Sequence, residues 1–82
     1  MKTKDLQRLT RVHKVYINPK NKNFSVKIEQ FSTQNPTVIM NFGLTPNGLT
    51  KKTRWEICDN LAHANKIFHI WKTWLVKQAN AQ

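Results

Sequence analysis

Apolar and polar residues alternate with period two through much of the first half of the chain. The segment "FSVKIEQF" puts Phe24, Val26 and Ile28 on one face and Ser25, Lys27 and Glu29 on the other, the pattern of a half-buried strand. Before it, "RVHKVYINP" sets Val15 and Ile17 on one face against Lys14 and Tyr16 on the other. The intervening "NPKNK" suits a hairpin loop, because Pro19 fixes its own backbone and asparagines accept turn conformations. After the turn-rich "STQNP", "PTVIMNFG" offers Val38, Met40 and Phe42 on one face. Three consecutive antiparallel strands are expected over 12–43.

Past Phe42, "GLTPNGLT" reads as a loop, and from Thr50 the period changes. Ile57, Leu61, Ala64, Phe68, Trp71 and Leu75 are spaced four and three apart, one stripe of a helix expected over 50–79. Thr53 and Glu56 have the spacing of a capping box, and Thr50 is an alternative cap. A competing reading makes 49–57 a fourth strand paired through "PNG". That pairing would set Lys52, Arg54 and Glu56 beside the apolar face of Val38, Met40 and Phe42, which favours the helix. Residues 1–11 are expected to form a basic arm or a short helix with Leu6 and Leu9 on one side. The expected fold is one α+β domain, (α)βββα: a three-stranded antiparallel sheet packed under a long C-terminal helix.

Charge changes the picture more than composition does. Fourteen Lys plus Arg face four Asp plus Glu, a formal +10 on 82 residues, and a field of that sign attracts polyanions whatever the fold. Residues 1–29 hold eight of the cations, 30–50 hold no charged side chain, and the positive run resumes at Lys51. No apolar run approaches the roughly 18 residues of a membrane span, and no signal-peptide core follows the basic N-terminus, so a cytoplasmic protein is expected. With Cys58 alone no disulfide forms within the chain, and the residue reads as a small apolar filler.

Catalytic chemistry has little to build on. His63 and His69 point to different sides of a helix, and no nucleophile accompanies His13, His63 or His69 in sequence. Glu56 and Asp59 read as carboxylates complementing a helix N-terminus. Cys58 and His63 would lie about 140° apart on an unbroken helix, so no metal site is expected. "GLTPNG" lacks the glycine pattern of a phosphate loop, and no cofactor is expected. The chain reads as a non-enzyme.

Cations near aromatics remain. In "NGLTKKTRWE", Lys51, Lys52 and Arg54 would fall in the first helical turn, where the dipole disfavours positive charge. A bound phosphate would account for them, since backbone N–H groups, the dipole and three cations converge there.

The order of "FSVKIEQF", a loop and "GLTKK" resembles a degenerate double-stranded RNA-binding domain, on Phe24, Val26 and Ile28 in a strand and Gly48, Thr50, Lys51 and Lys52 at the start of a helix, with Tyr16 near a first-strand aromatic. The resemblance spans roughly 14–62 and implies that Lys51 and Lys52 contact phosphates across a major groove. Two departures accompany it: the first helix would be squeezed into 3–12, and "TRWEICDN" replaces an alanine-rich segment. The βββα outline also resembles the small DNA-binding modules of phage integrases, which implies an exposed strand face of Lys14, Tyr16, Lys27 and Ile39 as the reader.

On the helix, Ile67, Ile70 and Trp74 gather beside the main stripe, making the apolar surface wider than one sheet face needs. Two functions follow. The first is binding of duplex RNA or DNA through phosphates by Lys51, Lys52 and Arg54, extended by Lys14, Lys27 and the N-terminal Lys2, Lys4, Arg8 and Arg11. The alternative is a small accessory or inhibitor of the kind mobile genetic elements encode, docking a protein partner or a second copy through Ile67, Ile70 and Trp74.

Overall fold

The computed structural model describes residues 10–80. Four strands, β1 (Thr10–Ile17), β2 (Phe24–Phe31), β3 (Thr37–Leu44) and β4 (Lys51–Ile57), precede one helix, α1 (Leu61–Asn80). The strands form an antiparallel meander in chain order, so β1 and β4 are the edges.

The helix lies across the two central strands. Phe24, Val26 and Ile28 of β2 and Val38 and Met40 of β3 are buried beneath Ala64, Phe68, Trp71 and Leu75, with Cys58 closing one end of the core. Period two on the strands and period 3.6 on the helix thus meet as the sequence leads one to expect. At the start of the stripe, Ile57 and Leu61 are instead exposed.

The fourth strand overturns the three-stranded expectation and the helix start at residue 50. Its residues alternate, with Thr53, Trp55 and Ile57 opposite Asn41, Ile39 and Thr37 on the open face, and Arg54 and Glu56 opposite Met40 and Val38 on the helix side. The "PNG" turn closes the hairpin: Gly48 at φ 72° donates its N–H to the Thr45 carbonyl at 2.8 Å, and the Thr45 N–H reaches the Thr50 carbonyl at 2.7 Å. Charged side chains facing Met40 and Val38 are tolerated because β4 is an edge that the helix does not cover. Their stems cross the rim of the core and their heads stay in water.

The helix begins at Leu61, eleven residues after the expected start at residue 50. Asn60 caps it, its Oδ1 accepting the His63 N–H at 2.9 Å. Neither Thr53 nor Thr50 caps a helix, and Lys51, Lys52 and Arg54 lie in β4, away from the helix N-terminus.

A one-residue bulge inverts β1. Val12 pairs with Glu29 but Lys14 pairs with Ile28, leaving His13 as the extra residue, its Nε2 2.8 Å from Gln30 Oε1. Lys14 and Tyr16 therefore face the helix, while Val15 and Ile17 are exposed on the open side of the sheet. A slip of one residue exchanges every side chain between faces, and the bulge does so here from Lys14 onward. Of the strand face that the integrase resemblance nominates, only Lys27 and Ile39 lie on the open side. The expected arm or helix over 1–11 lies outside the described residues except for Thr10 and Arg11, which belong to β1.

Candidate nucleic-acid interface

Strand register fixes which cations share an end of the molecule. Ile17 pairs with Ser25, Phe24 with Phe42, and Leu44 with Lys51. The loop carrying Lys20 and Lys22 therefore sits at the same end of the sheet as Lys51 and Lys52. Rings along α1 follow in order: Phe68 lies under Lys14, Trp71 under Arg54, and Trp74 against Phe42. The helix thus runs toward this end, bringing Lys72 over Tyr16 and Lys77 into the last turn, where the negative pole of the dipole favours a cation.

The carboxylates of the described residues are at the other end. Glu29 is near the end of β2, opposite Val12 and Thr37; Glu56 is near the end of β4, opposite Val38; Asp59 precedes α1. Among the described residues the carboxylates are therefore gathered at the end of the sheet away from Lys20, Lys22, Lys51 and Lys52.

Of the sequence-nominated cations, Lys51 and Lys52 lie within the basic end, and Arg54 lies two residues further along β4. Lys52 Nζ is 5.5 Å from the centroid of the Phe42 ring, and the Arg54 guanidinium carbon is 5.3 Å from that of Trp71. Lys14 is on the opposite edge, its Nζ 5.2 Å from the Phe68 centroid. Lys27 is on the open face, paired at 2.6 Å with Glu29. Arg11 is exposed near the start of β1, away from the basic end. Lys2, Lys4 and Arg8 lie outside the described residues. Sequence reasoning missed Lys20, Lys22, Lys72 and Lys77. The hairpin over "NPKNK" was the available signal for the first two, but their neighbours depend on the register of β4.

Of the apolar flank, Ile67 is half-buried against the core, whereas Ile70 and Trp74 are 53% and 41% exposed. These two line a cleft of about 350 Å³ with Met40, Phe42, Arg54 and Trp71. Trp74 stands edge-on to Phe42, with centroids 6.1 Å apart and planes at 77°. One wall is cationic and the others are aromatic or aliphatic. Trp55, 63% exposed on the open sheet face, is a further large side chain that sequence reasoning placed in a helix.

A different cluster forms where β4 turns into α1. Cys58 precedes the helix, so the separation expected on an unbroken helix does not apply. Glu56, Cys58 and His63 bring one ligand atom each within 4.8 Å of one another. Burial, with smaller contributions from Glu56 and Asp59, pushes the Cys58 thiol up from its ordinary pKa, so it is protonated at neutral pH. Among the described residues no helix is long and apolar enough to cross a membrane.

Compared with known proteins, the chain matches no family model, no curated protein and no solved structure.

Proposed function

We propose that this chain binds duplex nucleic acid through the phosphate backbone, with the basic end as its grip. The observation that carries the reading is the segregation of charge: Lys20, Lys22, Lys51, Lys52, Lys72 and Lys77 gather at one end, and Glu29, Glu56 and Asp59 lie at the other. A polarised molecule presents its cations to a polyanion without bringing carboxylates near it. The lysines stand on a loop, a strand end and the last turns of a helix, so they follow an extended charged surface better than one small anion. Such contacts carry affinity and not sequence information. The role is non-enzymatic, and a cytoplasmic setting accords with it.

Titrating the protein into labelled duplex DNA and duplex RNA of one sequence at stepwise salt tests the reading. Binding at about 50 mM salt, with log affinity falling by about 0.9 per phosphate neutralised, is expected. Absence of binding to both duplexes at that salt overturns it. A preference for RNA would point to contacts with the 2′-hydroxyl.

A second reading, docking of a partner protein or a second copy, rests on the exposure of Ile70 and Trp74 beside the aromatic cleft.

A further inference from the structure

We propose that Glu56, Cys58 and His63 form a three-ligand site for zinc at the junction of β4 and α1. The site stands apart from the basic end and does not depend on the nucleic-acid reading.

The junction itself builds the site. Glu56 is near the end of β4, on the helix-facing side opposite Val38. Cys58 follows the strand, and its N–H donates to the Pro36 carbonyl at 2.8 Å, which anchors this turn to the neighbouring loop. The Asn60 cap then starts the helix, which returns His63 over the turn: the Asp59 N–H lies 3.4 Å from His63 Nδ1. Strand, turn and first helical turn thus each contribute one donor. The fold brings them together within eight residues, a clip that helical geometry from residue 50 would have forbidden.

The ligand atoms lie within 4.8 Å of one another. Bonds of about 2.0 to 2.3 Å to a tetrahedral ion require separations of roughly 3.3 to 3.6 Å, so closing the site takes about 1 Å of side-chain movement. Glu56 and His63 are half-buried and able to make that movement, whereas Cys58 is buried and fixed. The 3.4 Å contact to Nδ1 is long for a hydrogen bond and holds the ring lone pair weakly.

Donor chemistry selects the ion. Thiolate and imidazole suit zinc over magnesium or calcium, and the carboxylate joins the thiolate in balancing the charge of the divalent ion. The thiol gives up its proton to solvent as the sulfur–zinc bond forms, and water takes the fourth position. The half-buried carboxylate and imidazole leave a path for the ion from solvent. Closing the clip ties β4 to α1, and zinc that binds only the folded chain raises its melting temperature.

Cobalt(II) is the probe, because a thiolate ligand gives a charge-transfer band in the near ultraviolet and tetrahedral geometry intensifies the visible bands. One equivalent of cobalt per folded chain should develop both features, and zinc should displace it. His63→Gln and Glu56→Gln change half-buried residues, so their folds are retained and checked by circular dichroism. Each should weaken cobalt more than the roughly 10- to 100-fold typical of losing a supporting partner of a ligand. Cys58→Ser should abolish the charge-transfer band, and His69→Gln, on an exposed helix position, should leave it intact. A wild-type protein that gives no charge-transfer band, or a band that survives both His63→Gln and Glu56→Gln at unchanged affinity, overturns the site.

Discussion

The guanidinium of Arg54 lies over the indole of Trp71, 5.3 Å from the ring centroid, so a cation on an edge strand covers the flank of the helix that packs on its neighbours. Lys52 over Phe42 and Lys14 over Phe68 repeat the arrangement, and Lys72 reaches back over Tyr16 at 5.1 Å. Both long edges of the core are roofed by cationic stems. At such exposed sites each pair contributes about 0.5 to 1 kcal/mol. Arg54→Ala should therefore lower stability by about that amount plus the lost stem packing. A double-mutant cycle with Trp71→Leu, read by urea denaturation, should return a coupling of about 0.5 kcal/mol or more, and zero coupling would mean the two merely adjoin.

The bulge at His13 has a stability signature. Ile28→Ala should cost about 2 to 5 kcal/mol, because Ile28 is fully buried under the helix. Ile17→Ala should cost about 0.5 kcal/mol or less, because its side chain lies on the open face. Equal losses in chemical denaturation would place both residues inward, as an unbulged β1 requires.

The start of the helix is tested by its cap. Asn60→Ala should destabilise by about 1 kcal/mol, since it removes the acceptor for the His63 N–H. Thr53→Ala should cost less, because its hydroxyl only reaches Asn41 Oδ1 at 2.9 Å on an exposed face. The reverse ranking in thermal unfolding would restore a helix beginning near residue 50.

Trp74→Ala with Ile70→Ser addresses the aromatic cleft. Both side chains are substantially exposed, so the variant should keep cooperative unfolding and lose less than the roughly 3 to 5 kcal/mol of a fully buried tryptophan. Sedimentation of wild type and variant then reports whether this flank holds two copies together. Loss of cooperative unfolding at room temperature would make Trp74 a core residue.

Legibility in the sequence followed the number of faces each element buries. β2 and β3 lie under the helix with one face and open to water with the other, so their alternation was unambiguous, as was the stripe Ala64, Phe68, Trp71, Leu75. The edges broke the rule that inward means apolar. Lys14, Tyr16, Lys52 and Arg54 face inward at the rim, where a long stem over a ring substitutes for an aliphatic side chain. Val15, Ile17, Trp55 and Ile57 face outward, and a reader of polarity alone assigns them to the core or to a helix. Ile57 and Leu61 extended the helical stripe by coincidence of spacing across the strand end. As for the interface, Lys51 and Lys52 were visible as a cluster, but their companions Lys20, Lys22, Lys72 and Lys77 depend on register and helix direction. The Glu56, Cys58, His63 cluster was hidden by the same misplaced helix start, since angular separation on a helix says nothing about residues that precede it.

The most direct test of the basic end compares two fourfold variants with the same change in charge. One replaces Lys20, Lys22, Lys51 and Lys52 by glutamine; the other replaces Arg11, Lys14, Lys27 and Lys66, which lie elsewhere on the described surface. Duplex affinity is measured across salt for both, with circular dichroism to verify that each is folded. If the four lysines of the basic end each neutralise a phosphate, their loss should lower the slope of log affinity against log salt by about 3.6, and the second variant should lower it far less. Equal reductions in the two variants would mean that total charge alone attracts the duplex, and would contradict a grip localised at the end of the sheet.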